Sequence, residues 1–338
     1  MVEFISKSKQ QYKANLHCHS TLSDGHLTPP QLKEAYRNSG YSILAITDHE
    51  VPRDHRAMDE EDFMLLTAYE AYIRPEPKSN AYLPEVHLNL FARQPDNLKM
   101  VCYNPAYCKY LTEEQQAALE KVGGTQPRRY QRQYIQQFIH TAVENGYLVS
   151  YNHPCWSMED VDEILAYEGC FSLEMCNYCS YVSNRYEHNE MLYDMMLRRG
   201  KRIFCHGGDD NHNARPPDDF LSDSFGAFTM IYPERFDYAS VMGALEKGDF
   251  YASMGPRITR LWIDGQAKKA HLEAEGGVQL IMHCGSKSPR SVYQKDGGPV
   301  TAGEFVIPDE AKYLRFTVMD EKGRTADTRG YFRDEWDF

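Results

Sequence analysis

Up to about residue 250 the chain alternates short apolar runs with stretches of helical periodicity, the pattern of a parallel α/β domain. The first unit is the clearest. Residues 12–18 read as a strand; Thr28, Pro29, Pro30 and Gln31 supply a cap, prolines suited to a helix's first turn and a capping-box partner; Gly40 ends the helix. A second strand is predicted over 42–47, and further strands over 65–72, 86–91, 147–151, 171–175 and 202–206. Helices are predicted over 112–122, 130–145, 158–167 and 187–199. Seven strands in a βα series predict a closed barrel.

After the segment Tyr251-Ala252-Ser253-Met254-Gly255-Pro256 the texture changes. Helical periodicity stops, and alternation such as Leu314, Phe316, Val318 runs between turn signals at Asp264-Gly265, Gly276-Gly277 and Lys322-Gly323. The chain therefore divides into residues 1–254, an α/β domain, and 255–338, a small all-β domain of a size suited to a β-sandwich.

Composition narrows the classes. With 338 residues, 42% hydrophobic and 25% charged, the chain can bury a large core and a second smaller one. No apolar run approaches a membrane span and the N-terminus lacks a signal-peptide core, so a cytoplasmic location and no membrane partner are expected. A net charge of -12 argues against binding duplex nucleic acid, yet leaves room for a small anionic substrate in a local cationic pocket. Arg128, Arg129 and Arg132 form the densest basic cluster, as readily a solvated helix start as a phosphate site. Nine unevenly spaced cysteines read as reduced thiols, and the lone Cys176-x-x-Cys179 pair lacks a second pair to complete a zinc site. Nothing in the sequence signals an oligomeric state.

The informative pattern is where metal-capable side chains fall. In a βα-barrel the C-terminal ends of the strands open onto one face, where catalytic groups collect. The first strand runs into His17-Cys18-His19, whose period of two puts both imidazoles on one side, and Asp24 follows in a loop. Thr47-Asp48-His49 ends the second strand, the next two carry Glu70 and His87, and the fifth leads to Asn152-His153-Pro154. The last leads to Asp209-Asp210-Asn211-His212. Taken singly, each is commoner as chance or as a structural polar group. An acid or imidazole at the same end of nearly every strand is not. Mixed imidazole and carboxylate donors suit zinc, iron or manganese.

His17-x-His19-Ser20, Ser23-Asp24-Gly25, Thr47-Asp48-His49, Glu70, His153-Pro154 and Asp210-x-His212 resemble, in order, the motifs of the polymerase and histidinol phosphatase (PHP) superfamily. The small β tail is similar to its two-domain branch of carbaryl-hydrolase-like metallohydrolases. The resemblance implies an α/β fold, a distorted (β/α)7 TIM-like barrel with a small C-terminal β-sandwich, and a site for two or three divalent ions. It implies that His17, His19, Glu70 and Asp210 hold the first ion. Glu70 bridges to a second, which takes His87 and His153, and Asp24, His49 and His212 hold a third. Asp48, beside a ligating histidine, is expected to accept an imidazole N–H. Glu174 and Asn177 could orient ligands or serve structure. His55 or His206 is a candidate proton donor, and Arg128, Arg129, Arg185 and Arg215 are candidates for binding substrate oxygens.

Cations bridged by Glu70 would make hydroxide from water at neutral pH, so no Ser or Cys nucleophile is needed. The expected reaction is hydrolysis of a small phosphate ester of the nucleotide or sugar phosphate class. The alternative is hydrolysis of a carboxylic, carbamate or amide ester by the same cluster. Cations lining the pocket would favour the first and aromatic side chains the second. A third reading makes the α/β region a non-catalytic metal-binding module.

Overall fold

The computed structural model describes residues 1–75, 80–125 and 127–336. The first unit folds as its sequence dictates. Strand β1 (Val2–Ile5) precedes β2 (Tyr12–Asn15); helix α1 (Pro29–Asn38) opens with its prolines and buries Leu32 and Tyr36, four residues apart on one face; β3 (Ile43–Ala45) returns parallel to β2. At the N-terminus of α1 the Gln31 side-chain oxygen accepts from Thr28 N at 2.9 Å, and Gly40 leaves the helix at φ 79°.

The fold is mixed α/β with several sheets, and the expected closed barrel is not found. Five strands form one sheet in the order Phe204–Gly208, Ser172–Asn177, Tyr147–Tyr151, Val86–Ala92, Ala68–Ile73. The other large sheet carries Tyr12–Asn15, Ile43–Ala45 and Met64–Leu66 at one end, then runs through Phe228–Ile231 and Phe250–Ser253 into the tail. Between the two sheets the pairing thins to single bridges, Cys18 with Asn211 and His49 with Glu70. The ladder fails where the backbone leaves the extended path to present the candidate ligands.

One strand also runs against the expected series. Val86–Ala92 is antiparallel to Ala68–Ile73 and to Tyr147–Tyr151. No crossover helix forms between Ile73 and Val86 among the described residues, and the chain returns antiparallel. The helix expected over 112–122 stops at Ala118, because Leu119 is extended (ψ 135°) and Lys121–Val122 pairs with Met100–Val101. That expected over 158–167 shrinks to Val161–Ile164, whereas Arg132–Glu144 and Glu190–Arg198 form nearly as predicted. Two helices went unread, Tyr178–Asn184 and Tyr238–Lys247; the second has both end signals, Asp237 capping Ser240 N at 2.7 Å and Gly248 at φ 76°.

In the tail, Lys269–Glu275 and Gln279–His283 bury every second residue. Leu272, Leu280, Met282, Phe305 and Phe316 share one apolar cluster with Ile5 of the N-terminal strand, which pairs with Arg257–Asp264. Thr325–Thr328 pairs antiparallel with Phe250–Ser253, so the sheet is continuous from the N-terminal strands into the tail. Tyr313–Met319 is covered on both faces: Leu314, Phe316 and Val318 enter the tail core, while Arg315 donates to Asp194 (2.8 Å) on the neighbouring helix and to Asp327 (3.2 Å).

Candidate metal centre

Most of the predicted ligands lie at or just beyond strand ends, with Glu70 inside Ala68–Ile73 and Asp24 in the loop before α1, and local geometry explains how. His17 and His19 follow Tyr12–Asn15, where the chain bonds across to the last strand of the first sheet: Asp210 N donates to His17 O (2.9 Å) and His19 N to Asn211 O (3.0 Å). Glycine is required beside them. A Cβ at Gly208 would stand 2.8 Å from His17 Cβ, and one at Gly25 would stand 2.2 Å from His19 O. His153 and Asp210 adopt positive φ, 22° and 53°, uncommon for residues with a side chain. Hydrogen bonds hold both: His153 N donates to Glu174 Oε2 (3.0 Å), and Asn177 Nδ2 donates to Asp210 Oδ2 (2.9 Å).

His87 resolves a difficulty in the strand-end rule. It is the second residue of its strand, but because that strand runs antiparallel its start lies level with the ends of the others, opposite Tyr72 in the register.

The nine predicted ligand side chains converge. Glu70, fully buried at the centre, has one oxygen 3.2 Å from His17 Nε2, 3.2 Å from His87 Nδ1 and 3.3 Å from His153 Nε2. Its other oxygen lies 3.0 Å from His49 Nδ1 and 3.4 Å from His19 Nε2. Asp210 Oδ1 is 3.0 Å from His19 Nε2 and 3.2 Å from His17 Nε2. Asp24 faces His19 at 3.6 Å, His49 at 3.5 Å and His212 at 3.6 Å. Donor atoms of His19, Asp24, His49 and His212 all lie within 4.8 Å of one another, as do those of His17, His19 and Glu70, of His17, His153 and Asp210, and of His49, Glu70 and His87.

Three atoms in this cluster, His49 Nδ1, Glu70 Oε2 and His87 Nδ1, are buried and, although imidazole and carboxylate stand 3.0–3.2 Å apart, are not aligned for a hydrogen bond to any described residue. Buried polar atoms left unpaired are costly, and donors of this kind aimed at one another fit a divalent cation between them. The side chains also set one another's charge. Burial pulls the His87 imidazole down, but Glu70 and Glu85 overcome it and push it up to about 10. Burial would raise Glu70, yet His17, His87 and His49 hold its carboxyl well below the usual carboxylate range.

A ring of side chains sits behind the ligands. Glu174 lies 2.9 Å from His17 Nδ1, a placement that turns the Nε2 lone pair toward Glu70 and Asp210. Asn152 donates to Glu70 Oε1 at 2.8 Å. Asp48 behaves differently from expectation: it accepts from Ser20 N (2.7 Å), Ser20 Oγ (2.6 Å) and Ser23 Oγ (2.6 Å), and so anchors the loop carrying Asp24 instead of orienting an imidazole. Asp209 faces away from the cluster, accepting from Tyr36 and the backbone of Phe225, Gly226 and Ala227; burial pushes it up to about 6.

The cluster opens into a cavity of about 270 Å³. Here the expected substrate-binding arginines are corrected, since none of the four lines it. Arg128 is buried with both terminal nitrogens on the Glu50 carboxylate, because a guanidinium in the interior needs a partner. Arg129, Arg185 and Arg215 are exposed; Arg185 stacks on Tyr181 and Arg215 faces Asp219 at 3.5 Å. The proposed proton donors also lie elsewhere. His55 starts the short turn Arg56–Met58, and His206 is buried against Phe171 with Nδ1 2.9 Å from Ser172 Oγ, its imidazole lowered to about 4 by burial.

The cavity's cations are Arg74 and Lys109, and its walls include Tyr72, Glu85, Trp156 and Cys179. Trp156 is 45% exposed and meets His87 and His153 edge-on, with its backbone N–H held by Glu187. A signal for Arg74 did exist: Tyr72 and Arg74 follow Glu70 at intervals of two, which places all three on one face of an extended chain. All nine cysteines are free thiols. No helix among the described residues is long and apolar enough to cross a membrane.

No family model matches this chain, and no curated protein sequence matches it. Among solved structures it is similar to a two-domain protein containing a predicted PHP-like metal-dependent phosphoesterase from Bacteroides vulgatus, at 13% identity over 96% of each chain with a TM-score of 0.47. It is also similar to an amidohydrolase from Chromobacterium violaceum with bound sulfate and no metal, at 16% identity over 59% of this chain and 87% of the other with a TM-score of 0.39.

Proposed function

We propose that this chain is a metal-dependent hydrolase of the PHP type that cleaves a small phosphate ester. The observation that carries the reading is the convergence of nine imidazole and carboxylate side chains around Glu70, itself one of them, with three buried ligating atoms left without a hydrogen bond among the described residues. The donor set fits zinc, iron or manganese in two or three positions. His17, His19, Glu70 and Asp210 would hold one ion, Glu70, His87 and His153 a second, and Asp24, His49 and His212 a third. Divalent ions, when bound, supply the Lewis acidity that activates water and offsets charge on a phosphoryl group.

The chain's own residues prepare that chemistry. Glu174 orients His17 while holding the backbone of His153. Asn152 and Asn177 each hold one carboxylate, Glu70 and Asp210. Arg74 and Lys109 give the cavity the positive charge that attracts an anionic substrate, which supports a phosphate ester. Tyr72 and Trp156 support the second reading, a carboxylic, carbamate or amide ester hydrolysed at the same cluster. Duplex nucleic acid and membranes are not partners in this proposal.

A metal-reconstituted activity screen tests it, comparing phosphomonoesters, phosphodiesters and carboxylic esters with Glu70→Ala as control. Phosphomonoester turnover that disappears on chelation and in the variant is expected. Turnover surviving full chelation overturns the proposal.

A further inference from the structure

Arg74 differs from the other arginines of the interior. Arg128 is paired with Glu50, Arg315 with Asp194 and Asp327, and Arg329 with Glu335. The Arg74 side chain is 10% exposed and its Nε, like that of Arg329, is buried without a partner; unlike the other three, its guanidinium donates no hydrogen bond among the described residues. The nearest carboxylate, Glu85, lies 3.7 Å away, beyond hydrogen-bond distance, and its other oxygen faces His87 Nε2 at 3.4 Å.

The guanidinium is nevertheless held in place. It stacks over Tyr72 at 4.5 Å and lies 5.6 Å from the Tyr107 ring, contacts that orient the plane without using its N–H groups. A buried Nε–H without an acceptor is costly unless one arrives from elsewhere. The guanidinium faces the cavity, so the acceptor would come from whatever occupies that space. The Tyr72 ring also touches His49 (5.3 Å) and His87 (5.6 Å), so one aromatic ring separates the guanidinium from the ligand cluster.

We propose that Arg74 recognises a second anionic group, a phosphate or a carboxylate, on the same small molecule whose scissile ester faces Glu70. This rests on the reading of the cavity as a hydrolase site. It deepens that reading by naming the substrate as a molecule with two anionic groups, one at the cluster and one at the planar fork of Arg74.

Binding of non-hydrolysable probes tests this separately from turnover. Phenylphosphonate, 4-carboxyphenylphosphonate and 1,4-phenylenediphosphonate would be titrated calorimetrically into the metal-loaded full chain. The second anionic group is expected to tighten binding about tenfold or more, and the ratio to collapse towards one in Arg74→Ala. The larger of the two increments identifies the anion as carboxylate or phosphate. Arg74→Lys retains the charge and loses the fork, and should lose several-fold of the increment; it serves as the test if Arg74→Ala does not fold. Absence of any increment in the wild type, or an undiminished increment in the variants, overturns the proposal. If the wild type binds these probes as expected but hydrolyses no ester, the proposed reaction fails and the anion site stands.

Discussion

Around Glu70 the interior is crowded with imidazoles and carboxylates, and three of their atoms make no hydrogen bond to any described residue. In the tail, the interior is built from Leu272, Leu280, Met282 and Phe316, and its buried cation Arg315 is answered by Asp194, Asp327 and Thr317. Both regions bury charge. In the tail the protein supplies every partner of Arg315, so that charge is structural. At the cluster the partners are fewer than the donors demand, which is how a protein looks where a ligand belongs.

That contrast can be broken experimentally, beginning where the effect is largest. Glu70→Gln should drop hydrolysis to background and strip bound metal, read together by turnover and by elemental analysis. A variant as active as the wild type would mean that the cluster is structural. Arg315→Ala should act in the opposite way, costing about 3–5 kcal/mol of stability because the buried Asp327 loses its cation and keeps only the hydrogen bonds of the Thr317 and Thr325 hydroxyls, with activity per folded molecule kept. Chemical denaturation beside a specific-activity measurement checks both halves.

Glu174→Gln is expected to weaken metal binding roughly 10–100-fold, since His17 loses the carboxylate that orients it. Competition with a chelator of known affinity measures it, and an unchanged affinity would show that Glu174 is dispensable.

The pH dependence follows from the shifted groups. In the metal-free protein His87 is raised from its ordinary 6.5 to about 10, so its ion pairs contribute stability that is complete below 6.5 and lost as pH rises through 10. Glu70 is lowered below its ordinary 4.5, so its contribution is complete above that value and lost as pH falls towards its folded pKa. A metal ion must displace the His87 proton, so affinity should rise as pH increases from about 6 to 8, with proton release on the order of one per binding step. Calorimetry in buffers of different ionisation enthalpy measures that release, and none at pH 7 would contradict the assignment. The smallest effect is expected at Asp237→Ala, which removes the cap on Ser240 N and should cost about 1 kcal/mol of thermal stability, with metal binding untouched.

The positions of the nine candidate ligands were legible because metal chemistry resides in side-chain type and because strands deliver residues to one end with short, regular spacing. Helix α1 was legible for a similar reason: Thr28, Pro29, Pro30, Gln31 and Gly40 carry local signals that need no distant partner. Closure was not. The direction of Val86–Ala92 depends on whether its connection folds as a crossover helix, and the pairing between the two sheets thins to single bridges at the site itself.

The sequence by itself determined which residues could bind metal and in what order the chain presents them. Only the tertiary structure decided which cation faces the cavity. Arg128 and Glu50 lie 78 positions apart and become partners solely through folding, which removes Arg128 from the site. Arg74 lies just beyond a strand that carries a candidate ligand, and among the described residues folding gives it no hydrogen-bond acceptor. A guanidinium has the same chemistry in either place, and what it can do is set by whether the fold has already supplied its carboxylate.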